Sequence, residues 1–233
     1  MYRHLFFDLD NTLWDFDLNS KLAMIEVWSS YSLPVNDFER FFSVYNFHND
    51  RLWAAYRAHE ISKQELSSSR FSLSLSEAGY GMIEGAEFNQ RYLDRMPLQP
   101  HLCSGAIELL EQLLGKYRMH IITNGFAEVQ HRKMELSGLL PFFDRIFISE
   151  EVQAPKPSPI IFHHALKSCN ARKMESVMIG DSWDVDILGA KAVGIDQIFY
   201  NRHGEIFEFS TPKARGKGRT IQVADLSEIA AHL

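Results

Sequence analysis

From about residue 100 onward, short apolar runs rich in β-branched and aromatic residues alternate with stretches of helical periodicity. The runs Met119–Thr123, Arg145–Ser149, Ser176–Gly180 and Gln197–Tyr200, with residues 3–9 at the start of the chain, predict five strands. Between them, Ala106–Leu114 sets its leucines at helical spacing. Ala127–Ser137 has the same period and stops at Gly138, a residue suited to a helix C-terminus. Pro157 and Pro159 open a further helix. Strands alternating with helices in this way predict an α/β fold, a parallel sheet flanked by helices.

Residues 17–96 follow a different pattern, with helical stretches, many aromatics and no convincing strand. They read as an inserted helical module, giving boundaries of 1–16 and 97–233 for the α/β core and 17–96 for the insert. Ser62-Lys-Gln-Glu65 has the form of a capping box, and Leu22, Ile25 and Ser29 share one face of an earlier helix. Phe38, Phe41, Phe42, Tyr45, Phe47, Trp53 and Tyr56 are expected to form the small core of this module, because aromatics at helical spacing pack inward. An insert placed after the first strand is expected to overhang the carboxyl ends of the strands, where open α/β sheets bind ligands.

Composition narrows the classes. The 233 residues, 45% of them hydrophobic, suffice for a substantial core, and the net charge of −6 argues against general affinity for a nucleic-acid backbone. No run approaches the roughly 18 apolar residues of a membrane span, and the chain enters a strand directly, so a cytoplasmic protein is expected. Cys103 and Cys169 lie far apart without ligand-like neighbours and read as reduced packing residues. The basic stretch from Lys213 to Arg219 reads as a solvated loop in preference to an anion-binding arm, since its glycines suit a turn and no aromatics interleave it. The sequence leaves monomer and homodimer both open.

The candidate chemistry sits at strand ends. Asp8 and Asp10 follow the first apolar run two residues apart, so both side chains point to one side. Two such charges about 4 Å apart repel by roughly 4 kcal/mol at an effective dielectric near 20, which implies a bound cation, a shared proton or full solvation. Thr123-Asn124-Gly125 follows the second run, Lys156 in Pro155-Lys156-Pro157-Ser158-Pro159 follows the third, and Gly180-Asp181-Ser182 with Asp186 follows the fourth. In a parallel sheet all of these converge on Asp8 and Asp10.

Asp8-Leu-Asp10-Asn-Thr12, Thr123-Asn124, Lys156-Pro157 and Gly180-Asp181-Ser182-x-x-x-Asp186 together resemble the four motifs of the haloacid dehalogenase-like (HAD) phosphohydrolases. The likeness covers nearly the whole chain, and the insert resembles the C1-type cap of that superfamily. It implies a Rossmann-like core, a magnesium ion and hydrolysis of a small phosphorylated metabolite.

On that basis Asp8 is the expected nucleophile and Asp10 the acid that protonates the leaving alkoxide, then the base for water. Asp8, Asp181 and the Asp10 backbone carbonyl are expected to hold the metal. Thr123, Asn124 and Lys156 are expected to bind the phosphoryl group, with Asp186 orienting Lys156 or a metal-bound water and Thr12 steadying the loop. Asp184 is expected to face solvent.

The longer stretches Asp8–Phe16 and Thr123–Leu139 resemble the pyrimidine 5′-nucleotidase subgroup, which implies a nucleoside monophosphate substrate. Trp14 and Phe16 are expected either to line a base pocket or to pack beside the hinge. A sugar-phosphate phosphatase or phosphomutase of the same fold, a 2-haloacid dehalogenase, and a non-catalytic binder of phosphorylated ligands are the alternatives. Ser158 departs from the acidic residue frequent at its position, and the segment 202–220 is longer and more basic than the pattern leads one to expect.

Overall fold

A computed structural model describes residues 1–204, 206–207 and 218–233. Strand β1 (His4–Phe7) leads into helix α1 (Phe16–Ser30), and α2 (Phe38–Arg57), α3 (Lys63–Glu77) and α4 (Gly85–Arg95) follow. The chain continues through α5 (Ala106–Leu113), β2 (Arg118–Thr123), α6 (Ala127–Leu136), β3 (Arg145–Ile148), α7 (Ser149–Val152) and α8 (Pro159–Ser168). It ends with β4 (Ser176–Gly180), a π-helical turn at Trp183–Ile187, α9 (Leu188–Ala192), β5 (Asp196–Tyr200) and β6 (Thr220–Val223). The chain divides into two compact units, residues 1–16 with 100–233, and residues 17–99.

The first unit is a parallel sheet in the order β3-β2-β1-β4-β5-β6, flanked by helices. Every residue of β1 is buried, as a strand with parallel neighbours on both edges requires. The chain winds from β1 outward through β2 to β3, then crosses back to lay β4 on the other edge of β1. That reversal makes the carboxyl end of β1 a topological switch point, where the loops on either side splay apart and leave a crevice. Phe7 pairs with Ile121 on β2 and Ile179 on β4, so the residues just beyond these strands emerge at one level.

The five strands read from the sequence are present; β6 is a sixth that was not expected. Most of the basic stretch, residues 213–217, lies outside the described residues. Gly138 takes a positive φ of 74° directly after α6, the left-handed conformation that glycine adopts without a Cβ clash. Ser158 caps α8 by accepting a hydrogen bond from the Ile160 amide, so the departure from an acidic residue keeps the capping function. Cys103 and Cys169 are buried free thiols, as read.

In the helical unit the expected capping box at Ser62 and Glu65 is formed, each side chain bonded to the other's backbone amide. Its core is aromatic, but with altered membership. Trp28 stacks on Phe41 at 4.8 Å between ring centres, Tyr45 on Phe71 at 4.8 Å, and Phe88 and Tyr92 complete the cluster. Phe47 is 63% exposed, and Trp53 and Tyr56 are only half-buried. The buried stripe of α2 runs through Phe38, Phe41, Tyr45, His48 and Asn49, and these three lie off it.

The face of α1 that Leu22, Ile25 and Ser29 share is the outer one. Leu22 is half-buried and Ile25 and Ser29 are exposed, while Ala23, Met24, Val27 and Trp28 turn inward. Trp28, the largest apolar side chain of the helix, contacts Phe38, Phe41 and Tyr80 and sets its rotation. Among the described residues no helix is long and apolar enough to cross a membrane.

On neighbouring strands β1 and β2, His4 and His120 share a hydrogen bond of 3.1 Å inside the core, and His120 Nδ1 has no hydrogen-bond partner among the described residues. Burial depresses His120 to about 4, reinforced by His4, Arg118 and Arg145 against Asp144. His4 is lowered for the same first reason, with Arg118 and Arg3 adding to it and Glu175 and Asp144 opposing. The unfolded chain therefore takes up protons near pH 6.5 that the folded chain refuses, so this contribution is complete above pH 6.5 and is lost as pH falls toward 4. Urea midpoints are expected to drop between pH 7 and pH 5 by an amount equivalent to roughly 1–2 kcal/mol, allowing for solvent near the pair. H120F should show a visibly shallower decline.

Candidate active site

The turn after β1 places the first carboxylates. Asn11 adopts a left-handed φ of 61°, a conformation asparagine tolerates, and its amide donates to the Trp14 carbonyl. This tight loop leaves Asp8 at the end of β1 with 7% exposure and Asp10 two residues on, its side chain 26% exposed.

Lys156 reaches the same point from the segment between α7 and α8. Its Nζ lies 2.5 Å from Asp8 Oδ1, 2.7 Å from Asp186 Oδ1 and 2.7 Å from the Ile122 carbonyl, so all three ammonium hydrogens have acceptors. Asp186 Oδ2 accepts from the Ser182 amide at 3.1 Å, which fixes this carboxylate against the lysine. A Cβ on Gly180 would collide with the Asp186 side chain, so the glycine that ends β4 lets that residue fold back. Thr12, fully buried, donates to Asp181 Oδ1 at 3.0 Å, with Asp8 Oδ2 at 3.5 Å.

Thr123 and Asn124 end β2 beside this group. The Asn124 side chain clamps the Lys156 backbone, donating to its carbonyl at 2.9 Å and accepting from its amide at 2.8 Å. Its amide group is thereby directed to holding the lysine segment, with one N–H left for any other acceptor. Asp184 is exposed, as expected. Trp14 is fully buried, which corresponds to packing rather than to an open base pocket.

Three side chains to which sequence reasoning assigned no role complete the arrangement. Lys133 on α6 pairs with Asp10 Oδ1 at 2.6 Å, and Gln130, one turn earlier, donates to Asp10 Oδ2 at 2.9 Å and to Thr123 Oγ1 at 2.7 Å. Their spacing of three residues on a helix leaving the Thr123-Asn124 strand end was the available signal. Arg202, after β5, approaches Asn11 and Asp15 at 3.3 and 3.4 Å.

The electrostatics follow from three carboxylates crowded around one ammonium. Burial raises Asp8 to about 7; Lys156 opposes this, and the charges of Asp186 and Asp10 add to it. Asp181 is pushed well up by burial and by Asp8 and Asp186, against the Thr12 hydrogen bond. Burial disfavours the Lys156 ammonium, but Asp186 and Asp8 outweigh it and leave the group raised.

Asp8, Asp181 and Asp186 each offer an oxygen within 4.8 Å of the others. Hard oxygen donors carrying uncompensated negative charge suit a small divalent cation. A cavity of about 370 Å³ beside the end of β5 shares Asp181 with this group, the rest of its lining coming from residues that include Trp183, Phe199 and Arg202.

Fold and site together define a doubly wound α/β protein whose chemical centre is built from carboxylates and a buried lysine at the switch point. The chain belongs to the haloacid dehalogenase-like hydrolase family, whose sequence model matches residues 2–194. It is 36% identical over 204 residues to pyrimidine 5′-nucleotidase PynA of Streptococcus pneumoniae, covering 87% of this chain and 85% of that one. To pyrimidine 5′-nucleotidase YjjG of Escherichia coli it is 32% identical over 203 residues, 85% of this chain and 86% of the other. The crystal structure of the HAD-hydrolase YfnB from Bacillus subtilis, bound to magnesium, superposes with a TM-score of 0.88 at 29% identity, covering 100% of this chain and 98% of that one.

Proposed function

We propose that this enzyme is a magnesium-dependent phosphatase of pyrimidine nucleoside 5′-monophosphates that works through an aspartyl-phosphate at Asp8. The observation that carries the reading is the Lys156 ammonium at 2.5 Å from Asp8 Oδ1, beside Asp181 and two residues from Asp10. A carboxylate held against a cation at a strand end is poised to meet a phosphate dianion that it would otherwise repel. The two nucleotidase relatives support the choice of substrate.

In the first step Asp8 attacks phosphorus while the bond to the nucleoside 5′-oxygen breaks, and Asp10 gives its proton to the departing alkoxide. In the second, the Asp10 carboxylate takes a proton from water as that water attacks the phosphoenzyme, which releases phosphate and restores Asp8. Lys156 supplies a positive charge beside the phosphoryl group, and the Thr123-Asn124 strand end with its backbone amides donates to the phosphoryl oxygens. A magnesium ion held by Asp8, Asp181 and the Asp10 backbone carbonyl would supply the positive charge that screens nucleophile from phosphate. Asp186 keeps Lys156 in place, and Thr12 orients Asp181. The residues 17–99 unit acts as the cap, and the enzyme works in the cytoplasm. Halide displacement fits poorly, since the extra charge of Asp10 and Asp181 serves no purpose in it.

The test is a comparison of kcat/KM with magnesium across nucleoside monophosphates and sugar phosphates. UMP, dUMP and dTMP are expected to exceed hexose and triose phosphates by at least ~10-fold, about 1.4 kcal/mol of discrimination. A chelator should abolish turnover and added magnesium restore it. A preference for sugar phosphates would overturn the nucleotidase assignment, and full activity in chelator would overturn the metal.

A further inference from the structure

Resting on the reading of Asp10 as the proton donor, we propose that Lys133 and Gln130 are its positioning residues, a two-point clamp that sets the plane of the carboxyl group. Lys133 takes Oδ1 at 2.6 Å and Gln130 takes Oδ2 at 2.9 Å. A carboxylate offers about four lone-pair sites, so one bond to each oxygen fixes its rotation and still leaves a site for the transferable proton. The side chain of Asp10 keeps 26% exposure, so its open edge remains accessible while the clamp closes the inner one.

The clamp is built at a cost that a surface ion pair would not incur. Lys133 is 1% exposed, and its ammonium lies 4.2 Å from the Trp14 ring centre and 5.2 Å from that of Phe16, with the two aromatic faces confining it. Desolvating an ammonium costs several kcal/mol, and Asp10 is the acid partner that offsets it. Gln130 is fully buried and also donates to Thr123 Oγ1 at 2.7 Å. Its Oε1 has no hydrogen-bond partner among the described residues, and reversing the amide would set that oxygen against the Asp10 carboxylate, so both of its N–H bonds are used as donors. A Cβ at Gly125 would overlap the Gln130 side chain, so the glycine of the Thr-Asn-Gly turn makes room for it. Gln130 thereby couples the acid–base group to the phosphate-binding strand end.

A misplaced proton donor has a kinetic signature that a damaged fold lacks. A p-nitrophenolate leaves without protonation, whereas a nucleoside 5′-alkoxide does not, and kcat/KM reports the step in which that bond breaks. K133M and Q130L, each compared with wild type and D10N, are to be assayed with UMP and with p-nitrophenyl phosphate.

The loss in kcat/KM is expected to be on the order of 10²-fold larger for UMP than for the aryl ester in both variants. With the aryl ester, kcat and KM should fall together, and a burst of p-nitrophenol should appear as water attack on the phosphoenzyme becomes limiting. Equal losses on both esters, or no loss, would overturn the clamp. If K133M does not fold, Q130L decides by the same ratio. D10N separates the two levels: a D10N enzyme without leaving-group dependence removes Asp10 as the acid, whereas dependence in D10N alone removes only the clamp.

Discussion

Asp8→Asn is expected to lower turnover by on the order of 10⁴-fold or more while leaving the chain folded. The substitution is nearly isosteric, so the turn after β1 and the packing around Thr12 are kept. The amide oxygen, however, is a poor nucleophile and carries no charge with which to bind a cation. Its effect on stability should run opposite to its effect on rate. Asp8 and Asp186 share the Lys156 ammonium with Asp181 close beside them, and burial holds Asp8 up near 7, so its ionised form is strained in the metal-free protein. Since the folded pKa lies above the unfolded one, the proton that relieves this strain is lost as pH rises from 4 through 7, and stability falls with it. Metal-free D8N should therefore melt no lower than wild type at pH 8, and magnesium should raise its melting temperature less than that of wild type. Residual turnover above about 1% would remove Asp8 from the nucleophile's role.

The parts of this site that were legible in the sequence are those attached to strand ends. Asp8, Thr123 and Asp181 each follow a short buried run that cannot be mistaken for a helix, and a parallel sheet has only one edge at which they can emerge. Lys156 was legible through its place between prolines ahead of a helix. Lys133 was not, because a lysine on a helix is ordinarily solvated and only the tertiary placement of α6 buries this one; Gln130 was visible only as part of the Thr123–Leu139 resemblance, without a role.

The same distinction separates the secondary-structure readings. Capping at Ser62 and the stop at Gly138 are local chemistry and were read correctly. The rotation of α1 depends on what Trp28 meets in other helices, and β6 is four residues long behind a glycine-rich basic stretch that masks its pattern. Phe47 was assigned to a core because aromatics at helical spacing tend to pack inward, whereas its position off the buried α2 stripe decides otherwise.

Lys156→Met is expected to remove activity and, unlike Asp8→Asn, to destabilise the fold by about 3–5 kcal/mol, the usual result of leaving a buried ionic partner uncompensated. The ammonium ties together three strand ends that the chain brings from distant positions: Asp8 beyond β1, the Ile122 carbonyl on β2, and Asp186 in the turn after β4. A methionine fills most of the volume but leaves Asp186, 1% exposed, facing Asp8 with no cation between them. Adding Asp186→Asn to the lysine variant should recover part of the loss, because the second substitution removes the charge that the first exposed. A coupling of about 1–3 kcal/mol between the two positions, read from urea unfolding of the four proteins in the cycle, is the expected value. Phosphate turnover should stay absent in the double variant even as stability returns, since repairing the charge balance does not restore a cation to face the phosphoryl group. Additive losses would mean that Lys156 and Asp186 are not one unit, and Lys156 would then hold Asp8 without help from the turn after β4.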